Sequence, residues 1–427
     1  EFLETMSSVA EAMEQGRTPA RVAQGSSGSY FCPAPQPHPP NKYLIIFKPK
    51  DEEPYGLRNP KWTKWLHRNL CPCFFGRGCL IPNQGYISEA AASYMDTRLG
   101  LGIVPRTEVV HLASPVFHYP RKARTRFTKH GEPLPPKIGS AQLFVPGYIP
   151  AVEFFRRYPW ISSEPTSMTE DHGPKPGSSG GSEDTDCPED TEEVDDAEEF
   201  SWTDWTRQQF FEELEKMVVL DYIIRNTDRG LDNWLIRPCK DPGHQGGKGR
   251  WHVHLAAIDH GLALPYKHPD AWRSYPYGWL FLKSSIISKA FTRGLRSRLL
   301  PFLTSPAWWE GTVNGLRRIC REDEDYSEEW FMRQVAVLKG QAWNLVESLR
   351  DPGETPVSLC RRVAVVVWED VEEEGRSVGE VGHASEGELE QNSGWKRGAG
   401  RRIARVRRKV KERLEVLSRV RPCFTHW

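Results

Sequence analysis

Long apolar runs are missing from this chain. No stretch reaches the roughly 18 apolar residues needed to cross a bilayer, so any membrane contact is expected to be peripheral. Cysteine is sparse, 9 in 427 residues, too few for a disulfide scaffold, and no secretory signal opens the sequence. The chain reads as a protein of the reducing cytosol. Charge of one sign is not in excess: 57 Lys and Arg balance 57 Asp and Glu. Whole-chain charge therefore argues for no nucleic-acid partner. No internal repeat is evident, and the length suggests two or three folding units.

What charge there is lies unevenly. Residues 183–199 are densely acidic without Lys or Arg, and residues 396–421 are strongly basic. The Ser, Gly, Pro and acid-rich run 161–199 holds too few apolar groups to pack, so a disordered insertion is expected there.

The remaining sequence alternates strand and helix signals. "EFLETMSSVAEAMEQG" predicts a short helix ending at Gly16. After "QGSSGSYF" and a Pro-rich loop (33–40), the β-branched "KYLIIFKPK" predicts a strand. "SEAAASYMDTRL" predicts a helix with Ser88 as its cap. "AQLFVPGY" predicts a strand stopped at Pro146 and Gly147, and Phe210, Leu214, Met217, Val218 and Ile224 stand at helical spacing. "HLAAIDHGLAL" reads as a buried strand and turn, and residues 281–350 read as mostly helical.

One stretch raises a chemical question. "LDYIIRNTDRGLDNWLI" (220–236) has a buried frame, yet it carries Arg225, Asn226, Asp228, Arg229, Asp232 and Asn233. Charges are costly to bury unless paired or metal-bound. Phosphoryl transfer from ATP supplies a reason. It needs a phosphate-cradling loop, a Lys on the phosphates, an acid for the incoming hydroxyl, and Mg²⁺ ligands. Candidates follow in that order. Gln24, Gly25, Ser26, Ser27, Gly28, Ser29 and Tyr30 form a Gly-containing turn able to bind phosphate oxygens, although an ordinary hairpin turn fits the same residues. Lys48 ends the next strand. Asp228 and Asn233 have the D-x-x-x-x-N spacing of a kinase catalytic loop. Asp259 in "AIDHG" follows an apolar strand and precedes a Gly, as a metal-binding Asp does. Asp228 would orient or deprotonate the hydroxyl, and Asn233 and Asp259 would hold Mg²⁺. Protein-kinase landmarks are absent: Asn226-Thr227 replaces His-Arg, and there is no A-P-E.

"QGSSGSYF", "FKPKDEEPYG", "NPKWTKWLHRNLCPCFFGRGCLIPNQGY", "GIVPRT", "LDYIIRNTDRGLDNWLI", "AAIDHGLALPYKHPDAWRSYP" and "LKGQAWNL" together resemble type II phosphatidylinositol 4-kinases, over most of residues 10–360. "GRGCLIPNQGY" and "LPPKIGS" are closer in wording to the beta form. The resemblance implies an α+β, two-lobed kinase-like fold: an N-terminal lobe (1–145), a C-terminal lobe (146–360) and an atypical tail (361–427). It implies transfer of the ATP γ-phosphate to the 4-hydroxyl of phosphatidylinositol. ATP contacts are implied at 24–30, Lys48 and Asp259, and at Gln142, Leu143, Phe144 and Val145 as an interlobe hinge. Glu52, Glu53, Pro54, Tyr55 and Gly56 would lie near the substrate. Helix order makes Glu89 a candidate partner for Lys48, a solvated Glu being the alternative.

A membrane side is also legible. Lys61, Lys64, His67 and Arg68 accompany Trp62, Trp65, Phe74 and Phe75 around Cys71 and Cys73. Basic residues suit anionic headgroups, Trp suits the interface, and cysteines in such a setting are acylation candidates. A zinc site would need four ligands, and no second Cys pair lies nearby. The family's five-residue Cys-Cys-Pro-Cys-Cys box is reduced here by Leu70 and Phe74, which weakens the expected anchor. "WRSYPYGWLFL" (272–282) is either a second membrane-facing aromatic surface or core. Cytoplasmic faces of Golgi and endosomal membranes are the implied location.

Further departures are His260 and Leu231, each where the family usually has Asn. In the tail, Ile403, Val406, Val410, Leu414 and Leu417 would share one face of a basic amphipathic helix. Two functions are carried forward: an active lipid kinase, and a palmitoylated membrane scaffold with a weakened kinase fold.

Overall fold

Alternation builds the first sheet. In strand β3 (Tyr43–Pro49), Ile45, Phe47 and Pro49 are buried, while Leu44, Ile46 and Lys48 point to the opposite face. The computed structural model describes residues 1–22, 28–35, 43–53, 84–160, 199–226, 228–240, 249–265, 277–372 and 405–412, with 368–372 and 405–412 described by backbone alone. β3 is the centre of a five-stranded antiparallel sheet, flanked by β2 (Tyr30–Pro33) with β1 (Ala20–Arg21) outside it. On the other side come β5 (Lys137–Leu143) and then β4 (Thr107–Leu112). A Cβ on Gly139 would run into the Lys48 carbonyl oxygen, so only glycine lets β5 lie this close to β3.

The expected N-terminal helix is α1 (Phe2–Glu14). Its Phe2 and Val9 pack with Tyr30, Cys32, Ile45, Phe47, Phe117 and Ala141 into a small apolar core. Helix α2 (Gly85–Leu99) is buried over most of its girth. Ser88 does not cap it. The helix starts earlier, and Ser88 lies inside it, donating to the Ala263 carbonyl at 2.8 Å. The cap is Glu53, whose carboxylate accepts from the Gly85 N–H (3.0 Å) and the Tyr86 N–H (2.6 Å). The connection between β4 and β5 carries α3 (Arg121–His130).

The second half is mainly helical. A three-stranded antiparallel sheet joins β6 (Ile149–Pro150), β7 (Trp234–Lys240) and β8 (Trp251–Ala257). Around it lie α4 (Ala151–Arg157) and α5 (Asp204–Ile224), then α6 (Ser284–Ile287), α7 (Arg293–Leu303), α8 (Pro306–Cys320), α9 (Glu328–Arg350) and α10 (Pro356–Cys360). The expected periodic helix is α5, started by a capping box between Thr203 and Thr206. Phe210, Leu214, Met217, Val218 and Ile224 all enter the larger core. The architecture is mixed α+β. Among the described residues no helix is long and apolar enough to cross a membrane.

Two sequence expectations change. Of 272–282, residues 277–282 are described: Tyr277, Trp279 and Leu280 are core, and only Phe281 stands out, 76 % exposed. The tail does not form the expected helix over 405–412. Arg405–Glu412 is strand β10, paired antiparallel along its whole length with β9 (Val365–Glu372). Residues 161–198, nearly all of the acidic run, lie outside the described residues.

Candidate active site

Lys48 comes from the face of β3 opposite the buried Phe47. Its Nζ lies 2.5 Å from Glu89 Oε1 on α2 and 3.2 Å from Asp259 Oδ1, just after β8. The order-based pairing of Lys48 with Glu89 is therefore what the fold makes, and the solvated alternative falls. Glu89 is buried and Asp259 is 53 % exposed. Burial works against the Lys48 ammonium, but the Asp259 and Glu89 charges outweigh it and its pKa is raised. Lys48 holds the Asp259 carboxyl below the ordinary carboxylate range. Burial pushes Glu89 up, with Lys48 opposing. Asp259 has φ 55°, a left-handed conformation rare outside glycine. Gly261 follows, and a Cβ there would sit 3.8 Å from Asp259 Oδ1 and 3.9 Å from Glu89 Oε1.

The catalytic-loop motif stands between α5 and β7. The Asp228 N–H donates to Asn226 Oδ1 at 3.3 Å, and Asn233 Nδ2 donates to the Asp228 carbonyl at 2.6 Å. The D-x-x-x-x-N spacing thus closes on itself, with the amide of Asn233 holding the backbone of the Asp. The Asn233 carbonyl accepts from the Ile258 N–H at 3.2 Å, which ties this loop to the residue before Asp259.

The buried polar residues of this stretch do not all point at Lys48 and Asp259. Arg229 is fully buried and forks onto Asp221, Nε to Oδ2 at 2.9 Å and Nη2 to Oδ1 at 2.9 Å. Its Nη1 donates to the Ile258 carbonyl at 2.6 Å and to the Asn233 carbonyl. Arg225, at φ 56°, donates to the Pro265 carbonyl (2.7 Å) and to Gln334 of α9 (3.0 Å). These two arginines hold the loop and the segment after Asp259 in register. Asp221 and Gln334 carried no sequence signal, because their partners lie on other elements. Gly278 adds a backing: a Cβ there would run into the Arg229 carbonyl oxygen, so the chain after the Asp259 segment lies directly on the catalytic loop.

Other expected site residues are placed differently. Gln24–Ser27, Pro54–Gly56, Cys71 and Cys73 lie outside the described residues. The Gly28 N–H donates to the Glu52 carbonyl at 2.9 Å, and Ser29 is buried. The Tyr30 side chain is core, with its hydroxyl on Glu52 at 2.6 Å. Glu52 and Glu53 were expected near the substrate, and their carboxylates turn inward. Glu52 is fully buried and accepts from Lys137 Nζ at 2.6 Å, while Glu53 caps α2. Gln142 is buried with its amide on Thr107 Oγ1 at 3.1 Å, so its side chain is held within the sheet. The Leu143 N–H is used by Arg106 O (2.9 Å) and the Phe144 N–H by Leu44 O (2.8 Å). Val145 follows, half-buried. His260 is fully buried, its ring 3.9 Å from Glu89 Oε2, and burial holds it well below the usual histidine range, hence neutral. Leu231 is exposed, and its carbonyl accepts from the Val152 N–H at 3.2 Å.

A strand Lys, a helix Glu and a left-handed Asp meeting beside a D-x-x-x-x-N loop is the constellation of a phosphotransferase. The family model for phosphatidylinositol 3- and 4-kinase matches residues 41–323. The chain belongs to that family. The relatives with the family's type 2 names include Phosphatidylinositol 4-kinase type 2-beta of Danio rerio, 40 % identical over 86 % of this chain and 69 % of that protein. Phosphatidylinositol 4-kinase type 2-alpha of Danio rerio is 39 % identical over 86 % of this chain and 77 % of that one. Phosphatidylinositol 4-kinase LSB6 of Saccharomyces cerevisiae is 42 % identical over 86 % of this chain, which spans 62 % of that protein. The resemblance to type II phosphatidylinositol 4-kinases is borne out. The similar identities to beta and alpha forms do not separate the two.

Proposed function

We propose that the chain is an ATP-dependent lipid kinase that phosphorylates the 4-hydroxyl of phosphatidylinositol at a membrane surface. The observation that carries this reading is the convergence of Lys48, Glu89 and Asp259 within ion-pair distance. A scaffold with a decayed site would have no need to keep a buried Lys–Glu pair, since an apolar replacement of similar volume is often no less stable.

In the reaction, Asp228 accepts the proton of the 4-hydroxyl as its oxygen bonds to the γ-phosphorus. The bond from that phosphorus to the β–γ bridging oxygen breaks, and ADP leaves. Lys48 holds phosphate oxygens, kept charged and aimed by Glu89. Hydrogen bonding commits the Leu143 and Phe144 N–H groups to the sheet, and the backbone at Val145, just beyond it, is left to meet adenine. The donor set suits Mg²⁺, a hard cation that binds through one or two carboxylates, waters and substrate phosphates. Asp259 is held ionised and half-exposed, and Asn233 supplies an amide oxygen. These two residues would hold the ion, which neutralises developing phosphate charge when bound. His260 is buried behind Asp259 and is no obstacle to this set.

Membrane association through acylated Cys71 and Cys73, and residence on the cytoplasmic face of Golgi or endosomal membranes, belong to the same proposal. They are supported by the Trp- and Lys-rich sequence around those cysteines.

Purified chain with ATP, Mg²⁺ and phosphatidylinositol in detergent micelles should yield phosphatidylinositol 4-phosphate. Asp228→Asn and Asp259→Asn should each reduce turnover by about 10²-fold or more with unchanged thermal midpoint. Near-normal 4-kinase activity in either folded variant would refute the reading.

A further inference from the structure

Helix α3 buries none of its ten residues. Ala123 alone is partly covered, against the small core, and the rest are exposed. A helix contributing so little apolar burial is not explained by packing. Its sequence, RKARTRFTKH, holds Arg121, Lys122, Arg124, Arg126 and Lys129 and no acidic residue. Two of these cations occupy the first turn, where the helix dipole disfavours positive charge, so they are not there to stabilise the helix. Among the described residues, the ion pair on this helix is Arg126 with Glu132 at 3.9 Å, both exposed. Phe127, one turn on from Ala123 at i+4, is 37 % exposed.

The place of the helix is fixed by one buried carboxylate. Glu52 accepts from the His118 N–H at 2.9 Å and from Lys137 Nζ at 2.6 Å, and Lys137 also reaches the His118 carbonyl at 2.7 Å. His118 precedes α3 and Lys137 follows it. Glu52 itself stands one residue before Glu53, where the chain departs into the Trp-, Lys- and Cys-containing sequence 54–83. The base of α3 and the root of that sequence are therefore bolted together.

We infer that α3 is a separate electrostatic foothold on an anionic lipid bilayer. It acts through charge density rather than through an acyl chain or a headgroup pocket. A bilayer fits better than a protein groove, because Lys122, Arg126 and Lys129, at i, i+4 and i+7, share one broad cationic face with Arg121 beside it and no acidic residue on the helix, which suits a planar anionic surface. The inference rests on the lipid-kinase reading for its setting, and it is tested apart from turnover.

The experiment uses the full chain and a quadruple variant, Arg121→Gln, Lys122→Gln, Arg126→Gln and Lys129→Gln. Binding is measured by sedimentation with vesicles of phosphatidylcholine, and of phosphatidylcholine containing about 20 % phosphatidylserine. The variant should lose at least about tenfold in binding to phosphatidylserine vesicles, show a shallower salt dependence, and keep the parent's micelle activity. A companion variant that exchanges Arg for Lys and Lys for Arg at the same positions should bind as the parent does. Unchanged phosphatidylserine binding in the Gln variant overturns the inference, as does an equal loss in the charge-conserving variant. Loss of polyglutamate binding with vesicle binding intact would make an acidic protein the occupant and also overturn it. A parent that phosphorylates micellar phosphatidylinositol yet ignores phosphatidylserine vesicles overturns the foothold and leaves the kinase reading standing; a parent inactive on micelles counts against the kinase reading instead.

Discussion

Arg229 and Asp221 form a fully buried, two-pronged ion pair, with both N–O distances at 2.9 Å. The Arg comes from the catalytic loop and the Asp from the last turns of α5. The pair fixes where that loop leaves the helix, and the spare Nη1 of Arg229 grips the carbonyls of Asn233 and Ile258.

Replacing Arg229 with Met should strand the Asp221 carboxylate in the core and cost about 3–5 kcal/mol of stability. Adding Asp221→Leu should recover much of that loss. Activity should stay low in the double variant, because the carbonyls of Asn233 and Ile258 have lost their common donor. Chemical denaturation and the micelle assay on the three variants measure both effects. Activity returning in step with stability would show that Arg229 only supports the fold.

Lys48→Met should abolish measurable turnover and destabilise the fold by leaving Glu89 buried without its cation. Glu89→Gln in the Lys48→Met background should restore part of the thermal midpoint and none of the activity. Thermal unfolding with and without ATP makes the comparison, since the double variant should also lose the ATP-induced stabilisation.

Gly278→Ala places a methyl group against the Arg229 carbonyl, a backbone atom that cannot swing aside. About 1–3 kcal/mol of destabilisation is expected, with a fall in kcat larger than any change in the KM for ATP. A variant with parental stability and turnover would mean that the two segments separate freely.

Burial pushes Glu53 up to about 8, against the two backbone N–H donors of α2 that favour its charge. Its ordinary value, and so its unfolded value, is 4.5. Between these two values the folded protein binds more protons than the unfolded one, so this group lowers stability as pH rises from about 4.5 to about 8. Its slope is at most about 1.4 kcal/mol per pH unit. Glu53→Gln keeps an acceptor for the cap and removes the titration. Denaturant midpoints across that range should therefore fall less steeply in the variant than in the parent. Parallel curves would mean that Glu53 stays ionised in the fold.

The sequence alone determined whatever depends on neighbours along the chain. Alternation in "KYLIIFKPK" placed Lys48 opposite the buried Phe47, helical spacing placed α5, and the D-x-x-x-x-N interval brought Asn233 back onto Asp228, because period and short loop length are local properties. Glu89 could be named from helix order, but its distance to Lys48 could not. Tertiary structure alone decided that Lys48 meets Asp259, and that Glu52 and Glu53, written side by side as substrate-facing acids, are drawn inward by Lys137 and by the open N-terminus of α2. It also decided that Arg229 is an internal strut rather than a cleft residue. The basic tail shows the same limit from the other side. Val406 and Val410 fit a helical face, yet Arg405–Glu412 is a strand because β9 offers it a ladder of backbone hydrogen bonds, and a partner supplied by the fold outweighs local periodicity.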